Sequence, residues 1–272
     1  NSKVNIILDQ SYLTNSYPNI EFSGGKSATI SLRYAEALFT KTGGKGNRNE
    51  TEGKNFIGRA DSLISDGSQS QKFTSLTYRT YRFLQMTIST QSEPLTINDI
   101  YGTFTGYPFK MNANLAVNQP DMDKILEIGW RTARLCAYET YMDCPYYEQL
   151  QYIGDGRIQA LVSLFNSGDD RLVKNAINLM DFSRTPEGVT FSRHPSYTPQ
   201  YIPTFSLWYI GMLQDYARYG ADTDFVKSKI GGTRQILDYF KRYQQADGRL
   251  KNTPQWMFTD WVENQKEWRA GV

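Results

Sequence analysis

The sequence predicts a two-domain protein of mixed class: an N-terminal antiparallel β-sandwich, then an all-α segment built of helix pairs. Two observations carry this. Apolar residues recur with a period of two over the first stretch of chain, and near 3.6 from Asp121 onward. Glycine and polar clusters cut the first stretch into short runs, as between the strands of a sandwich. The 272 residues leave room for one large core or two ordinary ones, and the boundary is set at 1–110 and 111–272.

In chain order, Ala28 to Thr40 alternates apolar and polar positions and reads as a half-buried strand. Phe73 to Thr90 interleaves Tyr, Arg and β-branched residues and reads as two strands or one long bent strand. Leu95 to Phe109 adds another β-like run, with Gly102, Gly106 and Pro108 as breakers. Between them lie Ser23-Gly24-Gly25 and the polar loop Thr42 to Lys54. A long helix is expected from Asp121, its N-cap, to near Tyr141, with Ile125, Ile128, Thr132, Leu135 and Cys136 near one face. Further helices are expected over Gly156–Phe165, Asp170–Asp181, Thr204–Tyr219 and Asp222–Gln245, the last interrupted by Gly231-Gly232. Antiparallel helix pairs with unequal loops suit an α/α toroid, and an irregular bundle fits the same periodicity.

Composition narrows the chemistry. With 30 Lys+Arg against 28 Asp+Glu the net charge is +2, which argues against a grip on nucleic-acid phosphates. No apolar run approaches the ~20 residues that span a bilayer as a helix. One histidine (His194) and two cysteines (Cys136 and Cys144) rule out His-rich or four-cysteine metal sites, and neither metal nor organic cofactor is implied. Carboxylates, 19 tyrosines and 5 tryptophans remain as the reactive and binding inventory. Such an inventory suits a neutral, polyhydroxylated substrate such as a sugar, whose C–H faces pack on aromatic rings.

The densest chemistry lies in Asp143-Cys144-Pro145-Tyr146-Tyr147-Glu148-Gln149-Leu150-Gln151-Tyr152-Ile153-Gly154-Asp155, a helix-to-helix loop. Glu148, between an aromatic and an apolar neighbour and near two other acids, has the surroundings that raise a carboxyl pKa toward neutrality, as a general acid needs. By residue type and spacing alone the same loop reads more simply as two capping aspartates, a solvated glutamate and core tyrosines, capping being the commonest role of such aspartates.

That string resembles the catalytic-loop signature of the bacterial α-L-rhamnosidases, glycoside hydrolase family 78: Asp-Cys-Pro, a spacer, the catalytic Glu, then an aromatic and Gly-Asp. The segments Ser23 to Phe39, Gly46 to Lys54 and Tyr78 to Gln85 resemble the sandwich that precedes the catalytic domain, and later segments the first half of its (α/α)6 barrel. The resemblance implies an inverting exo-glycosidase that releases terminal α-L-rhamnose from glycosides or polysaccharides, the alternatives being an (α/α)6 glycosidase for another sugar and a non-catalytic carbohydrate-binding fragment. It implies Glu148 as general acid, Asp143 and Asp155 binding rhamnose hydroxyls, and Tyr152 beside the sugar, with Trp261 as a further pocket aromatic next to Asp260. Many members carry Arg immediately before the catalytic Glu; here Tyr147 stands there, offering a phenol instead. The water-activating base is expected beyond residue 272, because Glu263 and Glu267 come too early in the family's order. The chain starts without Met or signal peptide and stops at Val272 within an unfinished element, so a fragment, inactive alone, is expected. Family analogy implies a periplasmic or extracellular location; oligomeric state is left open.

Other residues have plainer readings. His194, in a polar loop between helices, is expected to be solvated rather than to line the site. Trp130, Trp208, Tyr209 and Trp256 are expected in the core. Arg79 and Arg82, on a strand face, are expected to pair with acids across the domain interface. The glycine-bearing loop Lys41 to Lys54 lacks the spacing and flanking elements of a phosphate cradle.

Overall fold

The computed structural model describes residues 1–261. Contacts divide the chain into two compact units, Asn1–Gly106 and the part from Tyr107 onward.

The first unit is one antiparallel sheet of six strands: β1 (Ser2–Gly24), β2 (Thr29–Ala35), β3 (Ala60–Ile64), β4 (Gln71–Thr74), β5 (Arg79–Thr90) and β6 (Leu95–Phe104). β1 is its spine. Ser2 to Ser16 pair with β5, which continues to β2 and β3, while Ser16 to Gly24 pair with β6 and Asn19 to Phe22 with β4. A register shift between Asp9 and Thr14 bends β1 as it passes from one set of partners to the other. The sheet thereby curls around a shared core of Ile20, Phe22, Ile30, Leu32, Tyr34, Tyr81, Leu84 and Met86. In β2 the expected alternation holds: Ile30, Leu32 and Tyr34 are buried, and Thr29 and Arg33 are exposed.

Several expectations are revised here. The run from Phe73 to Thr90 contains two strands, and they are not neighbours, because β1 lies between them. β1 itself has no counterpart in the sequence reading: its first half is largely exposed, so no apolar alternation marks it. Gly102 does not break β6; it lies within the strand opposite Pro18, where a Cβ would meet Ser16 Oγ at 2.6 Å. Arg79 pairs with Asp61 and Arg82 with Asp9, both partners inside the same unit rather than across an interface.

The second unit holds five helices: α1 (Met122–Leu135), α2 (Ile153–Ser167), α3 (Arg171–Phe182), α4 (Pro203–Tyr219) and α5 (Thr223–Lys241). α2 and α4 pack together most extensively, and α3 and α5 each contact α4. Gly156 and Ala160 of α2 are buried, and a Cβ at Gly156 would make only ordinary contact with Met212 of α4, at 3.9 Å. The core gathers Ile153, Val173, Ile177, Met180, Tyr209, Met212, Tyr216 and Ile236. Two buried tyrosines satisfy their hydroxyls locally, Tyr141 with Ser163 at 2.6 Å and Tyr216 with Asp170 at 2.7 Å.

α1 stops at Leu135, six residues short of Tyr141, because the chain turns inward there. An antiparallel bridge links Ala137 to Tyr141, and both are fully buried. Ile125 and Ile128 are exposed rather than part of a covered face. Asp121 occupies the N-cap position without a side-chain hydrogen bond, whereas Asp222 caps α5 by accepting from the Phe225 amide at 2.9 Å. Gly231-Gly232 does not interrupt α5, which runs unbroken through both.

Candidate active site

The cleft forms where the N-terminal ends of α2 and α4 meet. Two backbone closures shape the preceding loop. The Asp143 amide donates to Leu150 O at 2.8 Å, and the Leu150 amide donates back to Asp143 Oδ1 at 3.0 Å. The loop between them is therefore a closed ring that projects Glu148. The Glu148 amide is held by Cys144 Sγ at 3.4 Å, and Gln149 takes a left-handed φ of 56° with its side chain bonded to Pro145 O.

A second pairing brings in a distant segment. The Ile153 amide donates to Ser192 O at 3.0 Å and the His194 amide to Gln151 O at 3.1 Å, so Tyr152 and Arg193 face each other in an antiparallel bridge. Buried Gln151 ties this together: its Oε1 accepts from the Tyr141 amide and its Nε2 donates to His194 O. A third segment arrives at Phe258, whose carbonyl accepts from Thr204 Oγ1 at the start of α4.

These three segments enclose a cleft of about 280 Å³ lined by Asp143, Glu148, Tyr152, Asp155, Gln200, Ile202, Phe205, Trp256, Phe258, Asp260 and Trp261. Six of the seven residues singled out from the sequence meet there. Tyr147 does not; it is exposed and lies edge-on to Tyr146 at 4.8 Å. The cation that reaches Glu148 comes instead from Arg193, whose Nη1 is 3.5 Å from Oε2. Between them stands the Tyr152 phenol, donating to Glu148 Oε2 at 2.8 Å and accepting from Arg193 Nη1 at 2.7 Å.

Electrostatics follow from burial. Asp155, in the first turn of α2, has its pKa raised by burial and by the nearby Asp143, Asp260 and Glu148. Burial and the bond to Glu148 push the Tyr152 phenol up to about 12, so it stays a neutral donor. The opposite wall is aromatic: Phe258 lies 4.6 Å from Trp256 and 5.0 Å from Trp261 between ring centroids, and Phe205 lies edge-on to Tyr152 at 6.3 Å. A carboxyl group facing such rings can protonate a leaving oxygen on a sugar stacked against them.

The structure also moves residues that sequence reasoning placed elsewhere. Trp256, expected in the core, is 40% exposed on the cleft wall. Trp208 is likewise part exposed, beneath the Arg157 guanidinium at 5.2 Å, in an adjoining hollow that shares Asp155, Phe205 and Asp260 with the cleft. Trp130 packs partly buried against the core, and Tyr209 is fully buried. His194, expected to be solvated rather than to line the site, is half-buried and is not among the residues lining the cleft: its ring lies edge-on to Phe191, and burial lowers its pKa. Gln200, Ile202, Phe205, Phe258 and Arg193 were not foreseen as site residues; only the proximity of Phe258 to Asp260 and Trp261 hinted at one of them. Glu263 and Glu267 lie outside the described residues. Cys136 and Cys144 are free thiols, and among the described residues no group of three His, Cys, Asp or Glu is placed to hold a metal ion.

Comparison with known proteins gives these features a family. No curated protein matches the sequence. Among solved structures, the family 78 rhamnosidase of Bacillus sp. GL1 superposes with a TM-score of 0.83 at 22% identity, over 96% of this chain and 26% of that one. The Klebsiella oxytoca rhamnosidase, solved with rhamnose bound, gives 0.83 at 16% identity, over 97% and 54%. The α-L-rhamnosidase from Dictyoglumus thermophilum gives 0.71 at 20% identity, over 88% and 27%. The chain thus spans between about a quarter and a half of the length of these structures, and at such identities the likeness speaks for the fold. The sequence match is more specific: residues 110–271 fit the model of the bacterial alpha-L-rhamnosidase 6 hairpin glycosidase domain. Covering more than half of the chain, that match shows that it belongs to the bacterial α-L-rhamnosidase six-hairpin glycosidase family.

Proposed function

We propose that this chain carries the acid half of the active site of an inverting exo-α-L-rhamnosidase, and that its substrates are rhamnose-terminated glycosides or polysaccharides. Glu148 donates a proton to the glycosidic oxygen as the anomeric C–O bond breaks. A second carboxylate, assigned outside residues 1–272, takes a proton from the water that attacks the opposite face. Asp143 and Asp155 bind sugar hydroxyls, with Asp260 beside them, and Tyr152 and Trp261 flank the ring. The observation that carries this reading is the convergence of four carboxylates and five aromatic rings on one cleft at the α2 and α4 N-termini. On the same reading the helical unit is part of an (α/α)6 barrel and the curled sheet a β-sandwich, and the protein acts in the periplasm or outside the cell. No helix among the described residues is long and apolar enough to cross a membrane.

The test is hydrolysis of 4-nitrophenyl α-L-rhamnoside and of a rhamnosyl disaccharide by the full-length protein. Glu148→Gln is expected to cut turnover of the disaccharide by about 10²–10⁴-fold, the usual worth of general acid catalysis. Proton NMR of the fresh product should show the inverted anomer. Undiminished hydrolysis by the variant would remove Glu148 from the mechanism, and a panel of other nitrophenyl glycosides hydrolysed faster would change the sugar.

A further inference from the structure

The hydrogen-bonded chain Arg193–Tyr152–Glu148 is not needed to explain sugar binding, and it has a chemical direction. The phenol is a donor to Glu148 Oε2 at 2.8 Å, and it is a fixed one, since its own oxygen accepts from Arg193 Nη1 at 2.7 Å. The guanidinium carbon also lies 5.4 Å from the centre of the Tyr152 ring. Arg193 is held in place by backbone pairing on both sides, Ser192 to Ile153 and His194 to Gln151, and its side chain is only 17% exposed. Glu148, by contrast, is about half exposed and hangs from a loop. Two anchored groups therefore hold one oxygen, Oε2, of a loop-borne carboxyl that lines the cleft.

We propose that Tyr152 and Arg193 are positioning residues that select which oxygen of Glu148 carries the transferable proton, an inference that rests on Glu148 being the general acid. Oε2 already receives a hydrogen bond from the phenol and faces a guanidinium, so it is the poorer proton site. The proton sits on Oε1. In the reaction it passes from Oε1 to the glycosidic oxygen as the C1–O bond breaks, and the aglycone leaves as an alcohol. Water supplies the new bond to C1, and its released proton goes to the second carboxylate. Glu148 is left as a carboxylate, and the negative charge growing on it is met at Oε2 by the phenol and Arg193. That contact is stronger in the transition state than in the ground state, which is the condition for raising kcat rather than lowering KM. Asp143, Asp155 and Asp260, the other charged groups lining the cleft, oppose the same charge. The pair from Tyr152 and Arg193 is what offsets them.

A role in acid catalysis differs from one in packing through its dependence on the leaving group. Tyr152→Phe removes one oxygen and keeps the ring; Arg193→Met keeps the aliphatic stem and removes the charge. Each is assayed in the full-length protein against rhamnosides whose leaving groups run from an alkyl alcohol to 2,4-dinitrophenol, with thermal unfolding followed alongside. For alkyl rhamnosides kcat should fall about 10- to 100-fold in either variant, the worth of a hydrogen bond to a charged group, while KM changes less than about twofold. The loss should shrink steadily as the leaving group improves, because a good leaving group needs little protonation. An equal loss for every leaving group, or one confined to KM, would overturn the positioning role while Glu148→Gln remained inactive. An active Glu148→Gln would overturn the general acid and the pair together.

Discussion

Asp155 sits at a cost to the fold. Burial and three neighbouring carboxylates raise its pKa, so its charged form is better accommodated in the unfolded chain. The sign follows: the folded state holds the proton more tightly, and stability falls as pH rises from the unfolded value, about 4, through the folded one. Asp155→Asn removes that titration. It should raise the thermal midpoint at pH 7 relative to wild type, with a gain that fades toward pH 4, while hydrolysis declines. A midpoint difference independent of pH would show that the charge is not the cause. The trade is the one expected where a site holds a group for chemistry rather than for packing.

At the scale of single elements, α5 separates two neighbouring glycines. A Cβ at Gly231 would meet nothing within 4 Å, so Gly231→Ala should stabilise by about 0.5–1 kcal/mol through helix propensity. A Cβ at Gly232 would collide with the Arg184 guanidinium, which donates to the carbonyls of Gly188 and Gly232 at 2.9 and 3.0 Å and is paired with Asp181. Gly232→Ala should therefore destabilise, and urea unfolding of the two variants should move in opposite directions. The pair also shows what was legible beforehand. A glycine pair reads as a break only if nothing else holds the helix; here Tyr239, Phe240 and Ile236 are buried and carry it through. β2 was legible because its alternation reports a real inside and outside, and the acidic loop because its residues act within a few positions of one another. β1 was not, since a long, bent, half-exposed strand is specified by its partners rather than by its own pattern. Arg193 and Trp256 escaped for a related reason: Arg193 reaches Glu148 through a bridge to Tyr152, distant in sequence, and Trp256 lines the cleft with residues of the equally distant acidic loop, and nothing in their immediate neighbours encodes that.

Across the whole molecule, the carboxylates with lowered pKa values set its acid limit. In the sheet unit, the hydrogen bond from Arg82 lowers Asp9. In the helical unit, Arg171 lowers Asp169; burial would raise Asp181, but Arg184 and Lys229 together outweigh it and bring the carboxyl down. The Phe225 amide and Lys174 lower Asp222. A depressed folded pKa contributes stability that is complete above the unfolded value, about pH 4, and disappears as pH falls through the folded one. Thermal midpoints should accordingly fall below about pH 4, and Asp181→Asn should flatten part of that fall. An unchanged slope would show that the Asp181 pairs are not among its causes. The Tyr152–Arg193 bridge has a consequence of another kind, for how such a loop can change in length. Side chains on paired strands alternate faces, so adding or losing one residue next to Ser192-Arg193-His194 would slide the register, and a hydroxyl or an imidazole would stand where the guanidinium now meets the phenol. Around Tyr197, fully exposed at the far bend of the same segment, a residue can come or go without that penalty. Drift in length is therefore open to the tip of this loop and closed to its base.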